Sequence, residues 1–173
     1  MAKYLTKFGL AAIREKIAFL EQRRQGALQA AGEAAQNDSN AYHDNFEYEE
    51  GMRQQELFSQ QLRSLCKLLD GAVLAPQPAD NDRVAIGHYV LVRRPGDAEA
   101  EAYVLCGDGE GAVLENACSA SSPMGRTLLG MKKGESRTVA LPDRAFTVEV
   151  LEIRVATQHD VRMAGVESDG RYE

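Results

Sequence analysis

Across the first stretch of the chain the apolar residues fall into a seven-residue rhythm. Leu10, Ile13, Ile17, Leu20, Arg24, Ala27, Ala31 and Ala34 step by three and four in alternation. That spacing keeps one stripe on one side of an α-helix and forms a seam of the coiled-coil kind. A second stretch repeats the pattern with Tyr48, Gly51, Gln55, Phe58, Leu62, Leu65 and Leu69. Thr6 is placed to cap the first helix, and Gly71 followed by Pro76 ends the second. The connection is short and polar, which predicts two antiparallel helices. A helix of roughly thirty residues is about 45 Å long. Large Leu, Ile and Phe side chains lie toward the base of this hairpin, whereas Ala27, Ala31, Ala34 and Gly51 lie toward the bend. Small residues let two helices approach closely but bury less apolar area, so the far end is expected to be thin and more weakly held.

The bend is acidic. From Gln25 to Met52 the chain carries Glu33, Asp38, Asp44, Glu47, Glu49 and Glu50 but no lysine or arginine. Charge on a coiled coil is ordinarily a solvated face, and most helical hairpins serve packing or dimerisation. Against that stands the combination of a long, slender arm with carboxylates clustered at its end. Carboxylate oxygens are preferred ligands of Mg²⁺, and one or two suffice when other groups complete the shell. An arm of this shape can carry a carboxylate into the active site of another protein.

A chain of 173 residues makes one ordinary domain or two small ones. Tryptophan is absent and aromatic residues are sparse, which favours helix pairs plus a small sheet over one large core. The net charge of −6 argues against holding duplex DNA through the overall field, though not against a local basic patch. Cys66, Cys106 and Cys118 are odd in number and far apart, without the paired spacing of a zinc site. They read as reduced, small hydrophobes, which suits the cytoplasm. The opening "MAKYLTKFGL" has no run for a signal peptide, and no segment is long and apolar enough for a membrane span. A soluble, cytoplasmic protein is expected.

The proline-containing stretch "APQPADND" marks a change in composition. Beyond it, "VAIGHYVLVRR", "EAYVLCG", "AVLENACS", "SRTVAL" and "FTVEVLEIR" are short β-prone runs separated by Gly, Asp and Pro turns. One short helix interrupts them in "SSPMGRTLLG", with Ser122 as cap, Pro123 at the first helical position and Gly130 closing it. The expected architecture is therefore α+β. A coiled-coil hairpin occupies residues 1–74, a linker 75–82, a small antiparallel β domain with one short helix 83–154, and a polar tail 155–173. "GDGEG" reads as a hairpin turn, and His88 beside Tyr89 reads as structural. No catalytic constellation, phosphate loop or H-E-x-x-H pattern is present.

Over residues 4 to 154 the two halves together resemble the Gre family of bacterial transcription elongation factors. Ser122, Pro123, Met124, Gly125, Arg126, Thr127, Leu128, Leu129 and Gly130 match the family stretch S-P-x-x-R-x-L-L-G. Asp44, Asn45, Phe46, Glu47 and Tyr48 preserve part of the acidic motif G-D-x-x-E-N-A-E-Y. The resemblance implies an FKBP-like β domain that docks on the rim of the RNA polymerase secondary channel, through Ser122, Pro123, Met124, Arg126 and Leu128. It implies that the hairpin enters the channel as a monomer. Tip acids then help hold a second Mg²⁺ and an attacking water, and the polymerase's own centre cleaves RNA near its 3′ end. Two-metal chemistry gives the acids their purpose, since paired ions stabilise the attacking and the displaced oxygens.

Two alignments of the tip are open. Counted back from Tyr48 without a gap, Ala41 stands at the family's aspartate and Asp44 at its glutamate, one methylene shorter. Counted forward from Arg23 and Arg24, the bend is about two residues longer, and Asp38 can supply the missing acid. Asp44, with Asp38, is thus the expected catalytic and metal-holding pair, flanked by the motif residues Asn45, Glu47 and Tyr48. The same departures admit a relative that occupies the channel without cleaving. An FKBP-like peptidyl-prolyl isomerase is an alternative of another class. It requires a concave aromatic lining, for which Tyr89, Tyr103 and Phe146 are the candidates. A plain coiled-coil interaction protein leaves the match at "SSPMGRTLLG" unexplained.

Overall fold

The computed structural model describes residues 3–37 and 46–161. They fall into two compact units, one of residues 13–70 and the other of 3–12 together with 71–161.

The first unit is a helical pair, α1 (Lys7–Asn37) from Ile13 onward and α2 (Phe46–Leu69). Along the seam Ile13, Leu20, Ala27, Ala31 and Ala34 of α1 are buried, as are Gly51, Leu62 and Leu65 of α2. The heptad rhythm therefore placed most of the inward face, but Arg24 and Tyr48 are exposed and buried Ser59 lies off it. The helices approach closely at the small residues: a Cβ added at Gly51 would lie 2.8 Å from the Ala31 Cβ and 3.1 Å from the Ala27 carbonyl oxygen. On the outside, Arg53 pairs with Glu50 at 2.7 Å and Arg63 with Glu56 at 2.8 Å. Such exposed pairs contribute little to stability.

The second unit is built on a five-stranded sheet. Its strands are β3 (His88–Arg93), β4 (Glu101–Cys106), β5 (Ala117–Ser119), β6 (Ser136–Ala140) and β7 (Ala145–Val155), in the order β5-β4-β3-β7-β6. Central β3 pairs antiparallel with both β4 and β7, and Val90 faces Tyr103 on one side and Ile153 on the other. Alternate residues of β3 point inward, so Val90 and Val92 join Leu105, Val139, Val148 and Val150 in the core. The helix α3 (Pro123–Leu128) adds Leu128, fully buried, to the same core. Burying a leucine of this kind is worth about 2 kcal/mol.

Three features depart from the expectations drawn from sequence. The hairpin reading extended over residues 1–74, but β1 (Lys3–Leu5) pairs in parallel with β2 (Ala72–Leu74), and both belong to the β unit. The pairing buries Leu5, which helical spacing had left unassigned. The small sheet is also not wholly antiparallel, because β5 runs parallel to β4. "GDGEG" does not close a hairpin: Gly109 takes a left-handed conformation and opens a 3₁₀ turn at Glu110–Ala112, and the chain crosses before β5 begins. Glu110 is the cause. Its carboxyl group is fully buried and accepts from the Thr6 N–H at 2.8 Å, the Thr6 hydroxyl and the Gly107 N–H at 2.9 Å. Thr6 in turn caps α1, its hydroxyl oxygen accepting from the Gly9 N–H at 3.0 Å.

The linker is fastened along the β unit. Ala75 N–H donates to the Leu5 carbonyl at 2.7 Å, and Pro78 packs over Gly87. His88 is structural, as its sequence setting implied. Its Nε2–H donates to the Asp80 carbonyl at 2.9 Å, while its Nδ1 accepts from the Ala85 N–H at 3.0 Å. Burial holds this imidazole below its ordinary pKa, against the opposing pull of Asp80. The first tail residues are ordered as well. Arg154 grips Asp160 with two bonds of 2.5 Å, which hold that carboxyl well below the usual carboxylate range, and Ala156 and Val161 are buried. Residues 162–173 of the expected tail lie outside the described residues.

Candidate functional site

The matched stretch folds into a tightly tethered loop and helix. Ser122 has the extended backbone of a helix cap, and its hydroxyl oxygen accepts from the Gly125 N–H at 3.0 Å while donating to the Ser119 carbonyl at 2.7 Å. Pro123 occupies the first turn, where its missing N–H leaves nothing unsatisfied. Gly125 has no alternative, because a Cβ there would sit 1.9 Å from the Ser119 carbonyl oxygen. At the far end Arg137 donates to the carbonyls of Thr127 and Leu129 at 3.3 Å, and Arg83 to that of Gly130 at 3.0 Å. Positive charge at a helix C-terminus and direct bonds to its last carbonyls fix the turn from below.

What this leaves outward is mixed. Arg126 is exposed, with one guanidinium nitrogen on the Ser121 carbonyl at 2.6 Å, and Leu129 is 37% exposed. The hydroxyls of Ser119 and Ser121 both donate to Asp108, and these bonds hold its carboxyl below its ordinary pKa. Leu128 points the other way. It was expected among the docking residues, but at 0% exposure its side chain serves the core and is out of reach of any partner. Met124 is half-buried, packed against the core and turned toward a cavity of about 530 Å³.

That cavity is walled by Tyr103, Met124, Val139, Leu141 and Phe146, with Arg94, Ser119 and Ser122 adding polar groups. Tyr103 donates to Glu101 at 2.5 Å, and burial together with that carboxylate pushes its phenol up to about 12. Arg94 reaches Glu101 at 3.2 Å and lies 4.9 Å over the Phe146 ring. Tyr89, the other aromatic candidate, stacks instead under Arg154 at 3.9 Å. A smaller cavity, about 230 Å³, is lined by Phe8, Leu74, Pro76, Pro78 and Ile86.

At the start of α2, Glu47 and Glu49 stand in the first turn, where the helix dipole favours negative charge. Phe46 is 73% exposed and Tyr48 41%. Glu50 is held by Arg53 and Gln54. Asp38, Ala41, Asp44 and Asn45 lie outside the described residues. Among the described residues no group of three or more His, Cys, Asp or Glu is arranged to hold a metal ion, and no helix is long and apolar enough to cross a membrane.

The family "Transcription elongation factor, GreA/GreB, C-term" matches residues 79–155. Transcription elongation factor GreA of Syntrophobacter fumaroxidans is 29% identical over 151 residues, covering 87% of this chain and 96% of the relative. Transcription elongation factor GreA 1 of Lactiplantibacillus plantarum is 30% identical over 152 residues, covering 88% of this chain and 96% of its own length. The chain belongs to the Gre family of transcription elongation factors. A solved structure of GreA factor homolog 1 from Thermus thermophilus aligns over 89% of this chain and 99% of its own, at 20% identity and a TM-score of 0.41.

In this Gre-family chain the β unit brings Ser122, Pro123, Met124 and Arg126 together on one short element. Sequence reasoning missed Arg94, Leu141 and Asp108, which reach the same place from a β3 turn, the β6–β7 hairpin and the loop after β4. The spacing of Asp108 from Ser119 and Ser121 carries no local signal. The only hint was the density of short polar side chains on both loops.

Proposed function

We propose that this chain binds RNA polymerase in the cytoplasm and modulates elongation, its α3 face docking on the enzyme and its helical hairpin entering the secondary channel. The observation that carries this reading is the extent of the relatedness. Identity of 30% to GreA 1 of Lactiplantibacillus plantarum runs over 96% of that protein's length, hairpin and β unit alike. Ser122, Pro123, Met124 and Arg126 supply the docking surface, held rigid by the bonds at both ends of α3. At the hairpin end Asp44, with Asp38 as the alternative, would hold Mg²⁺, since carboxylate oxygens are the donors that ion takes. Bound there beside the polymerase's own ion, it would supply stabilisation of charge on the oxygens of the cleaved phosphodiester. The role of the chain's carboxylates is to hold and orient, near the RNA 3′ end, a water that the polymerase centre then uses.

In the ungapped alignment Ala41 stands where the family motif has aspartate, and that alignment favours a second reading. In it the protein occupies the channel without promoting cleavage. One assay separates them: a stalled, backtracked complex of the cognate polymerase, with and without this protein. Shortened RNA 3′ ends support the first reading, and slowed elongation without cleavage supports the second. No effect on either sinks both.

A further inference from the structure

The smaller cavity of the β unit, about 230 Å³, is one end of a longer groove. A hollow of about 570 Å³ shares Lys7, Phe8, Gln77, Val155 and Ala156 with it and continues past Thr157 and Gln158. The inner end is apolar, lined by Phe8, Leu74, Pro76, Pro78 and Ile86, and Leu74 there is 55% exposed. Lys7 is the one charged residue lining either part. The start of α1, the linker and the end of β7 thus bound one channel. Its outer end adjoins the last described residues of the chain. Val161 follows Gln158 by three residues, so it lies no more than about 11 Å from the groove wall.

We infer that residues 162–173, the segment following Val161, seat in this groove, with Met163 and Val166 against the apolar end and Glu167 beside the Lys7 ammonium. Reach allows it, because Val166 stands five residues beyond Val161, a span of up to about 17 Å in extended chain. The side chains suit the space. The unbranched thioether of Met163 adapts to an irregular apolar gap, and Ala164 and Gly165 keep the segment narrow between the two anchors. Charge agrees as well, since Glu167 and Asp169 follow the anchors and Lys7 is the groove's cation. An exposed pair of this kind adds little energy, so it sets direction more than strength. Tethering favours this segment over a separate partner. A short connection gives an effective concentration in the millimolar range, where contacts too weak to hold a free peptide hold the chain's own. The family match stops at residue 155, so the occupant comes from the part of the chain that the match leaves out.

Nuclear magnetic resonance on isotope-labelled full-length protein tests this directly. Nuclear Overhauser contacts are expected from the methyl groups of Met163 and Val166 to Leu74, Ile86 and Phe8, unchanged on dilution. Trypsin supplies a second measurement, because Arg162 and Arg171 bracket the seated residues. Leu74→Asp, at an exposed position, is expected to speed cleavage after Arg162 about tenfold, as when a local contact shielding the site is lost. A thermal melt of the variant confirms that it is folded at the assay temperature. Methyl shifts of an unstructured chain, with none of these contacts, overturn the inference. Contacts found only between differently labelled copies overturn it too, and make the groove a surface for a second copy. Cleavage after Arg162 at the wild-type rate in Leu74→Asp shows that the groove does not hold the segment, and the inference falls.

Discussion

The two units of this chain are held together by different means. In the β unit the buried polar groups are answered by bonds reached across the fold. Glu110 gathers donors from Thr6 and Gly107, and His88 joins Asp80 to Ala85. Full-sized side chains such as Leu105, Leu128 and Met131 fill its core. In the helical unit the one buried polar side chain among the described residues, Ser59, is answered within its own helix by the Gln55 carbonyl. The seam of that unit narrows from Leu20, Leu62 and Leu65 to Ala27, Ala31 and Gly51, and its ion pairs lie on the surface. Short buried bonds fix a shape, as a docking face requires. A seam of small residues keeps an arm slender but leaves its stability spread thinly along its length.

If that contrast holds, the largest losses come from single groups in the β unit. Glu110→Ala strands the N–H and hydroxyl of Thr6 and the N–H of Gly107 in a dry site, at a cost of about 4 kcal/mol. Urea denaturation followed by tyrosine signals checks this, and a loss under about 1 kcal/mol would show that water replaces the carboxyl group. Leu128→Ala follows at about 3 kcal/mol, the usual range for emptying a fully buried leucine site. Met124 is half-buried, so Met124→Asp would cost stability as well as binding, and exposed Arg126 is the cleaner probe of docking.

Sequence made these units unequally readable, for a physical reason. The seam of α1 and α2 was visible because helical contacts repeat every three or four residues along one stretch of chain. The cap at Thr6 and the α3 signals at Ser122, Pro123 and Gly130 are local in the same sense. Glu110 was not readable: an acid among glycines describes a turn, and only its meeting with Thr6, 104 residues away, makes it a buried anchor. The β1–β2 pairing failed for the same cause, three residues on each side being too few to carry a period. Arg94 and Leu141 join one cavity from separate turns, and nothing local announces that either.

The hairpin offers a smaller but sharper pair of tests. At Gly51 an added methyl collides with Ala31 and the Ala27 backbone, so Gly51→Ala should cost about 1–2 kcal/mol despite alanine's better helix propensity. At Gly32 an added methyl meets nothing within 4 Å, so Gly32→Ala should stabilise the unit by about 0.5–1 kcal/mol. Thermal melts followed by far-UV circular dichroism check both. If the two substitutions act with the same sign, close approach at Gly51 is not what holds the far seam.

The smallest effect separates the units by pH. His88 uses both ring nitrogens, and its Nδ1 must be unprotonated to accept from the Ala85 N–H. Burial lowers its folded-state pKa, while Asp80 opposes the shift without reversing it. Neutral His88 therefore contributes stability that is fully present above the ordinary histidine value of about 6.5 and is lost as pH falls through the lowered one. The paired carboxyls of Asp108 and Asp160 are shifted downward too, so their contributions are lost only at still lower pH. The described helical residues 13–37 and 46–70 contain no histidine, and the one buried polar side chain among them is the non-titrating Ser59. Between about pH 7.5 and about pH 5.5 the melting of the β unit should shift downward while hairpin helicity stays level. In His88→Gln the β unit should melt lower at the start but lose the slope. An equal slope in that variant would assign the pH response to another group and leave His88 as packing alone.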